Sequence, residues 1–262
     1  MGSLRFIGAA ALELWLTVGA ASAIADNSSS DYLELRRLIG REHFSEAIEQ
    51  CRRLIRQYPD NVGLYETLPE VSQYAGVLPA AIKFFEERIE DGTGIKYAYY
   101  GLGTTYYYLK DYRLAVLAFK RAIDLGLSTP ECYRNYEYAF EKLEGVEAAI
   151  KHFNSLSHRE PDNANYAYAL ALAYWEKQEF QKVQLHSRQA LARNPDEPRY
   201  LEANAVAMLY TGNTEKASAL LERLLTEAKL KGDVSDIQLL RSYLVLIHVQ
   251  QSRRGLVNAT VQ

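Results

Sequence analysis

The chain has 262 residues, 48% hydrophobic and 24% charged, with Lys and Arg close to balanced by Asp and Glu at a net charge of -3. That composition excludes a disordered chain, and its interspersed signs leave no basic face of the kind a nucleic-acid partner demands. Two cysteines, Cys51 and Cys132, are too few for a disulfide framework, and no CxxC or Cys/His cluster offers a structural metal site.

Residues 1–25 read MGSLRFIGAAALELWLTVGAASAIA, with one positive charge at Arg5, an apolar stretch, and small residues at Ala21, Ala23 and Ala25. This is the three-part layout of a secretory signal peptide. Cleavage after Ala25 leaves the polar start of residues 26–30; cleavage after Ala23 is the near alternative. Glu13 inside the apolar stretch costs about 2.5 to 3.5 kcal/mol at a membrane centre, which counts against an uncleaved anchor. An anchor and a buried first helix stay open beside cleaved export, and no cysteine near the cut accepts a lipid. No later apolar run approaches the ~18 to 20 residues of a membrane span.

From residue 31 onward a helical pattern repeats. The small residues Ala47, Ala81, Ala115, Ala149, Val183 and Ala217 lie 34 apart, and four residues after each stand Cys51, Phe85, Phe119, Phe153, Ser187 and Leu221. A chance apolar pattern drifts in phase, whereas stacked units must hold it. YPDN at 58–61, EPDN at 160–163 and NPDEP at 194–198 end units one, four and five, and DGTG and LGLSTP end units two and three. Pro stops a helix in such turns, and Asp or Asn caps the next. Unit two fits least well, because Pro69 occupies a position where packing wants a small residue. With Thr67 and Glu70 offering a capping box, its first helix is expected to start late or kink there.

The pattern is densest over residues 97–127. There Tyr99, Leu102, Gly103 and Tyr106 fall at i, i+3, i+4 and i+7, and Ala115, Phe119 and Ala122 at i, i+4 and i+7, so two amphipathic helices flank a turn near Lys110 and Asp111. The spacing resembles the tetratricopeptide repeat, a 34-residue helix-turn-helix, with only its proline displaced, to Pro130. The resemblance covers residues 31 to about 250 and implies an all-α, right-handed superhelical solenoid. Six units occupy 31–233, a C-terminal closing helix spans 234–251, and 252–262 form a tail. The apolar run from Tyr243 to Ile247 is odd for an end, which wants a polar outer face. The closing helix would pack another copy of the chain, be covered by something else, or continue into a longer natural chain.

Motifs that would carry chemistry read as structure. GLGTTY at 101–106 lacks the third glycine and the preceding strand of a dinucleotide loop, and Gly92-Thr93-Gly94 reads as an inter-unit turn. Of the five histidines none makes HExxH; His152 and His158 read as surface residues. There is no GxSxG, and neither cysteine has a catalytic partner. Cys51 and Cys132 lie several helix-packing steps apart, beyond disulfide reach. The chain is therefore expected to be no enzyme, to hold no cofactor or metal, and to bind no small-molecule substrate.

Beside the packing stripe of residues 97–107, Tyr97, Tyr100, Thr104 and Tyr107 form a second stripe rotated by roughly 130°. In the family this stripe lines the concave face, where peptides or partner helices lie. Carrying those positions over gives Glu66, Glu70, Tyr97, Tyr100, Tyr107, Tyr108, Arg134, Tyr138, Tyr168, Leu172, Trp175 and Tyr210 as partner-binding candidates. Their aromatic character suits binding hot spots, and equally suits rings that stack on one another and stiffen the superhelix. The family's clamp for a terminal carboxylate is incomplete, with Tyr100, Thr104, Arg134 and Asn135 at its places. Glu66 and Glu70 would instead favour a positive charge on the partner. The expected function is a non-catalytic scaffold binding another protein or peptide outside the cytoplasm. A docking region of a larger signalling protein is the alternative, and a hydrolase the second alternative.

Overall fold

The computed structural model describes residues 30–231 and 237–249. Twelve helices follow one another: α1 (Ser30–Gly40), α2 (Phe44–Gln57), α3 (Val62–Tyr74), α4 (Leu78–Glu90), α5 (Ile95–Tyr108), α6 (Tyr112–Asp124), α7 (Pro130–Glu144), α8 (Val146–Arg159), α9 (Ala164–Glu176), α10 (Phe180–Leu191), α11 (Pro198–Tyr210) and α12 (Thr214–Lys231). Residues 237–249 are helical again, as α13, and the described residues include no strand. Each odd-numbered helix packs on the even-numbered one that follows it and, through that helix, on the next unit. The result is an all-α solenoid of helix-turn-helix units.

The 34-residue register is the register of burial. Ala47, Ala81, Ala115, Ala149, Val183 and Ala217 are all buried, and so are Cys51, Phe85, Phe119, Phe153, Ser187 and Leu221 four residues on. Both cysteines are unpaired, buried thiols. Burial pushes their ionisation well up, which keeps them apolar core groups rather than nucleophiles.

The turn inside each unit recurs as regularly. Glu42, Gly76, Lys110, Gln178 and Gly212 all take positive φ, between 58° and 91°. In each case the next residue's N–H reaches back to a carbonyl in the last turns of the first helix, as in His43 N to Leu38 O, Val77 N to Ser72 O and Asp111 N to Tyr106 O. This is a left-handed cap that satisfies the last carbonyls of the first helix. Unit four departs from it, since Gly145 alone both ends α7 and begins α8.

How closely the two helices of a unit approach follows the residue between them. In units three, five and six that residue is Gly103, Ala171 or Ala205, and the pairs pack closely; in units one, two and four it is Leu35, Pro69 or Glu137, and they pack more loosely. At Gly103 there is no room even for a methyl, because a Cβ would fall 2.6 Å from the Phe119 ring.

Two expectations change. The first helix of unit two does not start late: α3 begins at Val62, capped by Asn61, and runs through Pro69. Thr67 does not cap it either, because its hydroxyl donates to the Gly63 carbonyl inside the helix. His152 is no surface residue but a half-buried ring stacked 4.2 Å from Phe140, with Nε2 bonded to the Tyr136 hydroxyl. Burial holds its basicity below that of an ordinary histidine. The aromatic Tyr136 and Phe140 explain this: they create an apolar slot that a neutral imidazole fills.

First helices also touch one another, α3 on α5, α5 on α7, α7 on α9 and α9 on α11, while among the described residues no two second helices touch as much. The layer in closer contact must lie inside the bend, so the first helices form the inner face. At the C-terminal end α13 takes the place of a seventh first helix. Its Leu239, Leu240, Tyr243 and Ile247 join the cluster of Leu201, Ala205, Leu221 and Leu224. Most of the apolar run is thereby spent, and Val245 is the residue of it that stays exposed.

The caps make a direct test. Gly76→Ala and Gly212→Ala, whose Cβ atoms would meet nothing within 4 Å, should each lower stability by about 1 kcal/mol through backbone strain alone. Lys110→Gly should raise it by about as much. Gly103→Ala should cost more, about 1 to 3 kcal/mol, by overpacking against Phe119. All four are read as shifts in urea midpoint at constant slope.

Candidate protein-binding face

Across the inner face, side chains from alternate first helices reach one another. Glu66 of α3 sits at the centre of the first group. The Tyr100 hydroxyl of α5 donates to Glu66 Oε1. Arg134 Nη2 of α7 donates to the same oxygen at 2.9 Å, and Asn135 Nδ2 at 3.0 Å. Asn135 Nδ2 also donates to the Tyr100 oxygen at 2.9 Å. A second group starts one turn earlier on α7, where Glu131 accepts from Arg199 Nε of α11 at 3.3 Å; Arg199 Nη1 lies 3.4 Å from Glu202.

Both long-range pairs join residues 68 apart, two repeats, and so step over a whole first helix. Packed helices lie about 8 to 10 Å apart, so helices two steps apart would be far out of reach in a flat layer. The pairs close because the layer bends toward them. Glu66 and Arg134 are both more than nine-tenths buried. Burial pushes the Glu66 carboxyl up, with Arg134 pulling the other way. The positive charge expected from a partner is thus already supplied to Glu66 by the chain itself. One turn along α3, burial and then the Glu66 charge push Glu70 up to about 7. Burial, and then Glu70, raise the Tyr108 hydroxyl in turn.

Family models of the tetratricopeptide repeat match residues 97–125 and 138–182. The chain carries tetratricopeptide repeats. Curated proteins yield no match to it. Among solved structures it is similar to TTC0263, a thermophilic TPR protein of Thermus thermophilus, at 23% identity over 70% of this chain and 99% of that one, with a TM-score of 0.49. It is also similar to YrrB, described as a TPR protein with an unusual peptide-binding site, at 17% identity over 75% and 98% of the two chains and a TM-score of 0.38. A third likeness is to the TPR2AB domain of yeast Sti1 in its pHSP90 complex, at 15% identity over 83% and 96% and a TM-score of 0.35. The tetratricopeptide repeat is in general a non-catalytic, protein-interaction fold.

On this tetratricopeptide scaffold the candidate residues divide into two sets. Glu66, Tyr100, Arg134, Tyr138, Tyr168 and Leu172 are buried. Tyr100 packs on Phe119 and Tyr168 on Tyr200, so these rings stiffen the stack. Leu172 lines a small apolar cavity together with Tyr243 of α13. Glu70, Tyr97, Tyr107, Tyr108, Trp175 and Tyr210 are half-buried and keep a surface. They lie chiefly toward the ends of the first helices. Tyr107 meets Tyr108 and Tyr112 edge-on, while Trp175 meets Phe180 and Tyr210, which stack at 4.2 Å.

Sequence reasoning missed Phe180 and the pairs made by Glu131 and Arg199. Signals for both were present. Phe44 stacks on Tyr74 as Phe180 stacks on Tyr210, the first residue of a second helix against the last residue of the next first helix. Opposite charges two repeats apart marked the two ion pairs.

Breaking the first pair should follow the arithmetic of buried charges. Arg134→Met alone, which strands Glu66, should destabilise by roughly 3 to 5 kcal/mol. Adding Glu66→Gln should recover part of that loss, measured by chemical denaturation as a double-mutant cycle.

Proposed function

We propose that this tetratricopeptide protein binds an extended polypeptide or partner helix along its inner face, at the half-buried aromatic positions, and does so outside the cytoplasm. The observation that carries the reading is the division of the rings. Tyr100 and Tyr168 are consumed by the stack, but Tyr107, Tyr108, Trp175 and Tyr210 are only half-buried. Large amphipathic side chains of this kind give contact area at low entropic cost and dominate binding energy where they cluster. The buried Glu66–Arg134 pair and the part-buried Glu131–Arg199 pair tie first helices two units apart, so the aromatic positions are spaced before a partner arrives, which lowers the ordering cost of association.

The export part of the reading rests on residues 1–25, which lie outside the described residues. Its support is the layout of Arg5, the apolar stretch and Ala23 and Ala25. No helix among the described residues is long and apolar enough to cross a membrane.

The groove is tested with an array of 15-residue peptides (length about that of a repeat's helix) probed with wild type and with Tyr108→Ala, Trp175→Ala and the double variant. Peptides bound by wild type should bind each variant more than about tenfold more weakly while circular dichroism stays unchanged. Equal binding by folded variants would remove the inner-face reading. Export is read from a reporter fused after residue 30, which should appear outside the cytoplasm and lose that location when Ala23 and Ala25 are replaced by Glu.

A further inference from the structure

Unit four carries the molecule's most anomalous core residue. Where the close-packed units place Gly103, Ala171 and Ala205, it places Glu137. The side chain is wholly buried, and neither carboxyl oxygen has a hydrogen-bond partner among the described residues. A buried polar group without a partner is disfavoured in a folded chain and calls for an explanation. Packing supplies none, since the neighbouring units pack more closely with a methyl or a hydrogen at the same place.

The surroundings suggest what the group meets. Glu141 lies one turn further along α7, and Glu176 ends α9, the next first helix. Tyr107 comes from the end of α5, the preceding one. Tyr138, beside Glu137, is buried with its hydroxyl also unpartnered among the described residues. The cation of the group is Lys142, which lies 3.2 Å from Glu141, so three carboxyls share one lysine. Burial, and then Glu141 and Glu176, drive Glu137 well above the usual carboxylate range. Burial, and then Glu141, raise Glu176 as well. Among the described residues no group of His, Cys, Asp and Glu is arranged to hold a metal ion. An organic cation with N–H donors is a chemical match for unpartnered carboxyl oxygens.

We propose that Glu137, Glu141 and Glu176, with the rings of Tyr107 and Tyr138, form a receptor for a lysine or arginine side chain of the bound polypeptide. This rests on the inner-face reading above and adds the chemistry the partner must carry. Tyr107 and Glu176 are half-exposed and Glu141 partly so. A cationic side chain entering from that edge meets Glu176 and Glu141 first and Glu137 beneath them. Its several N–H donors match the unpartnered oxygens, and the tyrosine rings favour a cation over a neutral side chain.

The test uses the full chain and a fluorescently labelled hexalysine peptide, followed by anisotropy, with the fully acetylated hexalysine as its neutral counterpart. Wild type should bind hexalysine and not the acetylated peptide. Glu137→Gln and, separately, Glu176→Gln should each weaken hexalysine about tenfold, whereas Glu90→Gln on the exposed outer surface should leave it unchanged. Glu176 is half-exposed, so that variant stays informative if Glu137→Gln fails to fold. Hexalysine affinity unchanged in folded Glu176→Gln, or reduced equally by Glu90→Gln, would overturn the proposal. Neutral peptides from the array separate the two readings. If Tyr108→Ala and Trp175→Ala lose them while the acid variants keep them, the inner face stands whatever hexalysine does. If hexalysine alone binds and depends on Glu176, the receptor stands without the wider groove.

Discussion

Gly103 lies so close to the Phe119 ring that no side chain fits between them, and much else follows from whether a unit can repeat that approach. A first helix that lies tight on its second helix leaves its outer side available to the next unit, because a residue such as Phe119 or Leu221 then fills the space between neighbouring helices. Dispersion falls off steeply with distance, so a unit that cannot close this gap must make up the loss with other neighbours. Units two and four do so. Pro69 and Glu137 hold their own pairs apart, and the first helices α3 and α7 lean instead on α5 and α9. From unit two to unit five the loosening therefore alternates along the chain, and the loose units hold the buried charges Glu66, Arg134 and Glu137.

That alternation also gives the ion pairs a role in shape. Glu66 to Arg134 and Glu131 to Arg199 both have one end on α7, the first helix of a loose unit, and each steps over a tightly packed unit. A buried pair returns little net stability, because desolvation cancels most of the attraction. What it supplies is geometric: each pair ties first helices two units apart at contact distance, 2.9 and 3.3 Å. Tyr100 and Asn135 bonding to the same Glu66 oxygen fix the first pair further, since three donors on one acceptor leave few alternative arrangements.

The fold was legible because the repeat is a one-dimensional object. Once Ala115 and Phe119 are placed, every later position is the same problem shifted by 34 residues, and burial of Ala47 through Ala217 follows without tertiary information. The site was legible only in part. Periodicity assigns Tyr100 and Tyr107 to the same stripe of α5, but it cannot tell that Tyr100 faces Glu66 and Phe119 while Tyr107 sits at the helix end beside Tyr112. That difference depends on the curvature of the inner face, which is set by contacts between residues two units apart. Pro69 misled for a related reason: propensity penalises it inside a helix by about 3 kcal/mol, but contacts along all of α3 outweigh a local cost.

His152 and Glu137 show the limits of reading residues by type. Both lie in unit four, where the pair of helices is held apart and the turn is reduced to Gly145. Phe140 and Tyr136 turn toward His152 and take it as an aromatic ring, and His186, 34 residues on in tightly packed unit five, is held in the same way, stacked 5.2 Å from Tyr174. Glu137 has no such rescue, since a carboxyl cannot be made apolar by its neighbours and keeps both oxygens unpartnered among the described residues. The carboxyl on α7 is thus left unsatisfied where the imidazole on α8 is not. A carboxyl that disturbs the stack and finds no partner within it is where the sequence departs furthest from what the packing of the unit asks for.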